Sequence, residues 1–132
     1  MMAPAEVVAL TACMSLPANT VTINPYFRAH PGKSGEIKAL LPKFIERTST
    51  ETQCLFYAFT LDGGDIFCME GYTGAEGVLA HVQNVGDLLD EMLTLADLTR
   101  IEFHGPAAEL DKLRAPMAAL NARFFALECR VP

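Results

Sequence analysis

The strongest constraint on the fold is a pair of neighbouring strand-like segments that are apolar on both faces. Segments 53–61 and 65–72 are joined by Asp62-Gly63-Gly64, and a short glycine-rich link between two such segments predicts a β-hairpin. Alternate residues of the first segment form two sets: Leu55, Tyr57, Phe59 and Leu61, and Cys54, Phe56 and Ala58. The second segment places Phe67 and Met69 opposite Ile66, Cys68 and Tyr72. A half-solvated strand alternates apolar with polar residues, so we expect both faces of this hairpin to be covered.

The order of the remaining segments predicts the fold class. A strand over 20–28 precedes a helix from Ser34, a second helix interrupted at 84–87 follows the hairpin, and a strand over 98–104 comes next. This is the ferredoxin-like, split βαβ order: an α+β fold with an antiparallel sheet and helices on one face. We expect a single domain over 19–132, with a core at 20–105 and a helix–strand extension at 106–132, after a flexible tail at 1–18.

Three local signals refine this picture. Pro25 cannot donate a ladder hydrogen bond and predicts an edge or a bulge in the first strand. Pro42 lies inside the first helical pattern and predicts a kink. Thr73 and Glu76 match a capping box at the start of the second helix, in which the two side chains bind the free backbone N–H groups.

The helices suffice for one layer, so the other face of the sheet needs a cover. A second subunit, a ligand or the C-terminal extension could supply it. A homodimer with sheet packed on sheet is the simplest of these.

Composition limits the partners and the compartment. The chain has a net charge of −6, so it lacks the positive surface that supplies most of the affinity for nucleic acids. The same negative charge disfavours binding to anionic membranes. The four cysteines form no CxxC pair, and three of them lie in apolar, strand-like segments where a free thiol packs as a small hydrophobe. These features predict a cytoplasmic protein. His30, His81 and His104 are widely separated, so no metal site is predicted.

One stretch resembles a known family. Phe67-Cys68-Met69-Glu70-Gly71-Tyr72, followed by Glu76 and Ala80-His81, resembles the signature of the antibiotic biosynthesis monooxygenase-like family, and segments 53–57 and 23–28 resemble its second and first strands. The resemblance covers roughly residues 20–104. It implies a dimeric α+β barrel, in which two sheets pack face to face. It also implies a possible oxidation of phenolic or quinol-type substrates with molecular oxygen, without metal or flavin. The absence of Trp disfavours haem degradation, an activity of some relatives.

Such chemistry needs apolar walls, one base and one or two hydrogen-bond donors. The candidate catalytic residues are His81 as the base, Tyr72 as a donor and Asn24 as an amide that holds a substrate oxygen. The candidate substrate-binding residues are Tyr57, Tyr26, Phe56, Phe67 and Met69. Each of these residue types also serves as ordinary packing. Three hypotheses therefore stay open: a cofactor-free oxygenase, a non-catalytic homodimer that binds a small apolar or aromatic molecule, and a homodimer whose interior is filled by side chains.

Overall fold

The computed structural model describes residues 16–132, so the predicted tail at 1–18 lies almost wholly outside the described residues. Five strands, four helices and one 3-10 turn follow one another along this part of the chain. Their bounds are β1 Thr20–Ala29, α1 Ser34–Thr48, β2 Cys54–Asp62, β3 Asp65–Thr73, α2 Gly74–Asn84, α3 Gly86–Leu95, β4 Ala96–Gly105, α4 Ala107–Asp111, the 3-10 turn Ala118–Leu120 and β5 Arg123–Ala126.

The strands form one sheet in the order β2-β3-β1-β4-β5. The first four strands pair antiparallel, and β5 adds to β4 in parallel at the edge. Gly63 adopts φ 58° in the tight β2–β3 turn, a conformation that glycine reaches without steric cost. The ferredoxin-like α+β fold and the helix–strand extension are therefore confirmed.

Strand β1 contains the irregularity that Pro25 predicted. Its pairing with β4 shifts register between Tyr26 and Phe27, and its pairing with β3 passes from Ile23↔Glu70 to Tyr26↔Phe67 without a partner for Pro25. Because proline has no N–H group, the ladder opens at this position although β1 is a central strand. Helix α1 extends from Ser34 to Thr48 and contains Pro42 in its interior.

The helices pack on one face of the sheet. Ile37, Leu40 and Phe44 of α1 are buried against Ile66 and Phe27, as the helical spacing of the apolar residues predicts. Val78 of α2 is buried in a second cluster with the C-terminal extension, whose contributions are Leu110, Leu113 and Met117. The extension is therefore part of the core rather than an appendage.

The capping box predicted at Thr73 is wrong. Thr73 is the N-cap of α2, but its side chain makes no capping hydrogen bond. The backbone N–H of Ala75 instead donates to Oε1 of Glu109 at 2.9 Å. The first turn of α2 is thus capped by a side chain of the extension, which sequence spacing within α2 cannot reveal.

The opposite face of the sheet, which we call the open face, carries apolar side chains without a covering layer in the single chain. Tyr26, Phe56 and Met69 are all at least 36% exposed, and Phe67 packs on Tyr26 with ring centroids 4.7 Å apart. The ring of Phe56 lies so close to Gly71 that any side chain at that position would collide with it. Within residues 16–132, no helix has the length and apolar character needed to cross a membrane.

Candidate active site

A cavity of about 280 Å³ lies between the sheet and helices α2 and α3. Its walls are mostly apolar and include Ile23, Pro25, Phe27, Phe44, Phe59, Leu98, Ile101 and Phe103. Asp90, Leu93 and Leu120 line it while remaining exposed, so they mark its mouth. The polar side chains on the inner walls are Tyr57, Cys68, Glu70 and His81. An apolar pocket with a few convergent polar groups is the usual form of a small-molecule site.

Glu70 is brought into this cavity by the alternation of β3. Ile66, Cys68, Glu70 and Tyr72 all face the helices, and Glu70 lies in register between Tyr57 of β2 and Ile23 of β1. Glu70 is 5% exposed, and the hydroxyl of Tyr72 donates a hydrogen bond to its Oε1 at 2.6 Å. Burial raises the pKa of Glu70 to about 7, against the hydrogen bonds from Tyr72 and Cys68. Glu70 therefore exchanges a proton near neutral pH.

His81 meets Glu70 from helix α2. Its Nε2 lies 3.5 Å from Oε1 of Glu70, and its Nδ1 lies 2.9 Å from Oε2 of Glu51 in the loop before β2. That same Oε2 accepts a hydrogen bond from Nδ2 of Asn84 at 2.9 Å, so it acts as an acceptor. Nδ1 is then the proton-bearing nitrogen of the neutral ring, and Nε2 presents a lone pair to Glu70.

The protonation state of His81 follows from its burial. The residue is 3% exposed, and desolvation lowers the pKa of His81 although the neighbouring Glu51 opposes the shift. A neutral imidazole 3.5 Å from a readily protonated carboxyl group is an acid–base pair within reach of proton exchange rather than a fixed ion pair. This pair can give or take one proton at the inner end of the cavity.

The two tyrosines and the thiol around this pair stay protonated. Burial, with the nearby Glu70 carboxylate, raises the pKa of Tyr72 far above its usual range, and burial also raises the pKa of Tyr57 and of Cys68. The ring of Tyr57 lies 5.1 Å from that of His81, and the ring of Tyr72 lies 4.9 Å from it. Both hydroxyls are therefore donors, and the thiol is not a nucleophile.

Only some of the predicted site residues come together here. His81 and Tyr57 line the cavity, and Tyr72 joins it through its hydrogen bond to Glu70. Asn24 bonds instead to Oγ1 of Thr22 at 3.1 Å and to the carbonyl of Glu102 at 3.5 Å. The other predicted residues lie on or beside the open face, away from the cavity: Tyr26, Phe56, Phe67 and Met69.

Two central residues, Glu70 and Glu51, are not among the predicted ones. The sequence contains a detectable signal for Glu70, because Glu70 is the lone carboxylate among the helix-facing residues of β3, which are otherwise mostly apolar. Glu51 had none, since it lies in a loop 30 residues from His81 in sequence.

The open face carries a second buried carboxylate, Glu102 of β4. Burial acts to raise the pKa of Glu102, but hydrogen bonds and charges from His104 and Arg100 outweigh it and hold that pKa below the usual value. The His104 ring stacks on Phe125 of β5 with centroids 4.6 Å apart. Glu102 is thus covered by Arg100 and His104 at the sheet surface rather than by the core.

The fold and the buried acid–base pair define the class: a ferredoxin-like α+β protein with a small, apolar pocket under its helices. Two solved structures share the fold and are described, provisionally, as antibiotic biosynthesis monooxygenases. One, from Caulobacter crescentus, is 16% identical over 65% of this chain and 88% of its own, with a TM-score of 0.59. The other, from Chloroflexus aurantiacus, is 22% identical over 67% and 93%, with a TM-score of 0.56.

A much more similar structure is that of MupZ from Pseudomonas fluorescens. It is 40% identical to this chain, covers 86% of it and 94% of its own length, and has a TM-score of 0.83. No family model matches the chain, and no curated protein matches it. The chain therefore belongs to the same family as MupZ, and its fold is that of the antibiotic biosynthesis monooxygenase-like proteins.

Proposed function

We propose that this chain is an enzyme that uses general acid–base catalysis on a small aromatic substrate, and that the reaction is a cofactor-independent monooxygenation of a phenolic or quinol-type compound. The observation that carries the proposal is the Glu70–His81 pair at the inner end of an apolar cavity. Fold alone does not define chemistry, whereas a carboxyl group with a pKa of about 7 is matched to proton transfer at neutral pH.

The reaction begins with loss of the phenolic proton to Glu70 or His81. The apolar walls hold the electron-rich phenolate next to dissolved oxygen. Tyr57, which lines the cavity, is the candidate donor of a hydrogen bond to oxygen anions that form there. For a ring CH₂ group oxidised to C=O, one atom of O₂ enters the carbonyl and the other leaves as water with the two hydrogens. The substrate supplies all four electrons, so no external reductant is needed.

Oxygen uptake with a panel of anthrones and hydroquinones tests this proposal. We expect uptake in proportion to substrate, and a loss of kcat/KM of at least ~100-fold in Glu70→Gln, because removal of a general base typically costs 10²–10⁴-fold. Glu36→Gln is the matched control, since Glu36 is an exposed carboxylate on α1, and it should retain full activity. Binding of the panel without oxygen uptake contradicts oxygenation and supports the alternative of a non-catalytic binding protein.

A second candidate function is proton transfer without oxygen. It is favoured by the raised pKa of Glu70, which leaves a carboxylic acid available as a proton donor. Products that form equally fast under argon would select it over oxygenation.

We further propose that the working form is a cytoplasmic homodimer. The exposed apolar side chains of the open face support self-association, and the free thiols of Cys54 and Cys68 suit a reducing compartment. Sedimentation at micromolar concentration tests the dimer. A particle with the mass of one chain, 14.4 kDa, would contradict it.

A further inference from the structure

Glu51 is a buried carboxylate behind the catalytic pair, in the loop between α1 and β2. Its side chain is 9% exposed, and its Oε2 binds both Nδ1 of His81 and Nδ2 of Asn84 at 2.9 Å. Asn84 also donates to the carbonyl of Arg47 at 3.0 Å, which fixes the orientation of its amide. Glu51 therefore contacts His81 at the ring nitrogen that does not face Glu70.

The second oxygen of Glu51 has a different environment. Within residues 16–132, its Oε1 is buried and has no hydrogen-bond partner, and the same holds for Oγ1 of Thr48. Both residues line a second cavity of about 250 Å³, together with Ile45, Ser49, Cys54, Leu55, Phe56 and Tyr57. A buried carboxylate oxygen without a partner is costly. This cavity is polar enough and large enough for water to serve as that partner.

Three polar side chains connect the two cavities, through one hydrogen bond and one close N···O approach. Glu70 lines the inner cavity, its Oε1 lies 3.5 Å from Nε2 of His81, and Nδ1 of His81 lies 2.9 Å from Glu51, which lines the second cavity. The titratable and charged groups nearest His81 on the elements around it are Glu51, Cys54, Tyr57, Cys68, Glu70 and Tyr72, with Arg47 and Asp87 beyond Asn84.

We propose that Glu51 and His81 relay protons between Glu70 and the solvent of the second cavity, with Glu51 as the positioning residue that directs Nε2 of His81 at Glu70. This inference rests on the proposed acid–base function. In one passage the proton of Glu70 moves to Nε2, the proton of Nδ1 moves to Oε2 of Glu51, and Glu51 releases a proton to water. Return of a proton along the same path restores the first tautomer. The substrate cavity thereby exchanges protons while its own walls stay dry.

Nitrogen-15 NMR of the full chain with labelled histidine tests the relay without any substrate. In the wild type we expect the neutral His81 ring to carry its proton on Nδ1. In Glu51→Gln, we expect the pKa of His81 to fall, because the hydrogen bond and charge of Glu51 that oppose its desolvation are lost. His30 and His104, which do not contact Glu51, are internal controls. A wild-type proton on Nε2 would overturn the positioning role.

The exchange rate of that Nδ1 proton with solvent separates a relay from a merely structural hydrogen bond. A relay predicts exchange at least ~10-fold slower in Glu51→Gln, because an amide cannot carry the proton onward. A structural bond predicts faster exchange, because the weakened bond protects the proton less. If the Gln variant does not fold, Glu51→Asp decides: a relay keeps the rate within about threefold, since a carboxylate remains, whereas a structural bond predicts acceleration.

The oxygen-uptake assay gives a separate arm. Glu51→Gln is expected to lower kcat by about 10-fold and leave KM within twofold, because Glu51 acts through His81 and does not touch the substrate. An unchanged kcat and pH profile would overturn the relay. If the wild type turns over none of the panel, the proposed function fails, while the exchange measurement still decides the relay.

Discussion

Glu70 and Glu102 lie on opposite faces of the same sheet and are almost equally buried, at 5% and 6% exposure. Their pKa values nevertheless move in opposite directions. Glu70 faces an apolar cavity whose described lining contains no Lys or Arg, so desolvation dominates. Glu102 is flanked by Arg100 and His104, which stabilise its charge. The exposed fraction alone therefore does not decide the pKa of a carboxylate. The depth at which it lies and the charge of the groups that cover it decide the direction of the shift.

The two faces of the sheet differ in what their buried carboxylates can do. The helix-covered face holds a carboxyl group that can give or take a proton near neutrality, which is a property of catalytic sites. The open face holds an anion that remains charged and tied to its cations, among exposed apolar side chains. This second arrangement is typical of a surface that orients a partner.

The largest expected difference between Glu70 and Glu102 is in how each changes the free energy of unfolding with pH. The folded-state pKa of Glu70 is raised from 4.5 to about 7, so the wild type loses stability as pH rises between these values, and the loss persists above them. Glu70→Gln removes this loss and keeps an acceptor for Tyr72. We expect it to be of the order of 3 kcal/mol more stable than the wild type at pH 8 and little different near pH 4.5.

Glu102→Gln is the matched variant and should show the opposite sign. The pKa of Glu102 is lowered in the folded state, so its stabilisation is present above the unfolded value and is lost as pH falls through the folded one. The variant should therefore be less stable than the wild type at pH 7 and equal to it in acid. Urea unfolding at a fixed protein concentration measures both. A Glu70→Gln protein without added stability at pH 8 would contradict the assignment of Glu70.

A new carboxylate on the open face tests the proposed interface next. Met69→Glu adds a charge where the side chain is 49% exposed in the single chain and buried in the proposed dimer. We expect the dimer dissociation constant to rise at least ~10-fold, because burying an unpaired charge is costly. Sedimentation measures the change. Ile45→Glu, at an exposed apolar position on α1, should leave the assembly unchanged, and equal effects of both variants would argue against the open face as the interface.

The smallest expected effect concerns the mouth of the cavity. Leu120→Ala removes an apolar contact from a partly exposed wall, so binding of the neutral probe 1-naphthol should weaken by only two- to fivefold, about 0.5–1 kcal/mol. Leu127→Ala is the control, because Leu127 is also exposed but does not line the cavity. Fluorescence titration distinguishes them. Equal affinities in both variants would place the probe elsewhere.

The sequence predicts the order of the elements well, because apolar periodicity and the Asp62-Gly63-Gly64 link are local signals. It predicts the site only partly. Alternation along β3 separates Phe67 and Met69 from Cys68 and Tyr72, but it does not say which set the helices cover. Residues of both faces were therefore predicted to share one site. The cap from Glu109 and the contact from Glu51 depend on tertiary packing, which leaves no pattern in the local sequence.

The bond between Glu109 and the N–H of Ala75 has a practical consequence for protein engineering. Helix α2 carries His81, and its first turn is tied down by a residue from beyond the last strand of the shared ferredoxin-like core. Trimming the chain to that core would release this turn and remove Met117 and Leu120 from the pocket wall at the same time. Because Leu110 and Leu113 of the extension are also part of the core, the trimmed chain would lose packing as well as the alignment of its histidine. This pocket can therefore be transplanted only together with the last 27 residues.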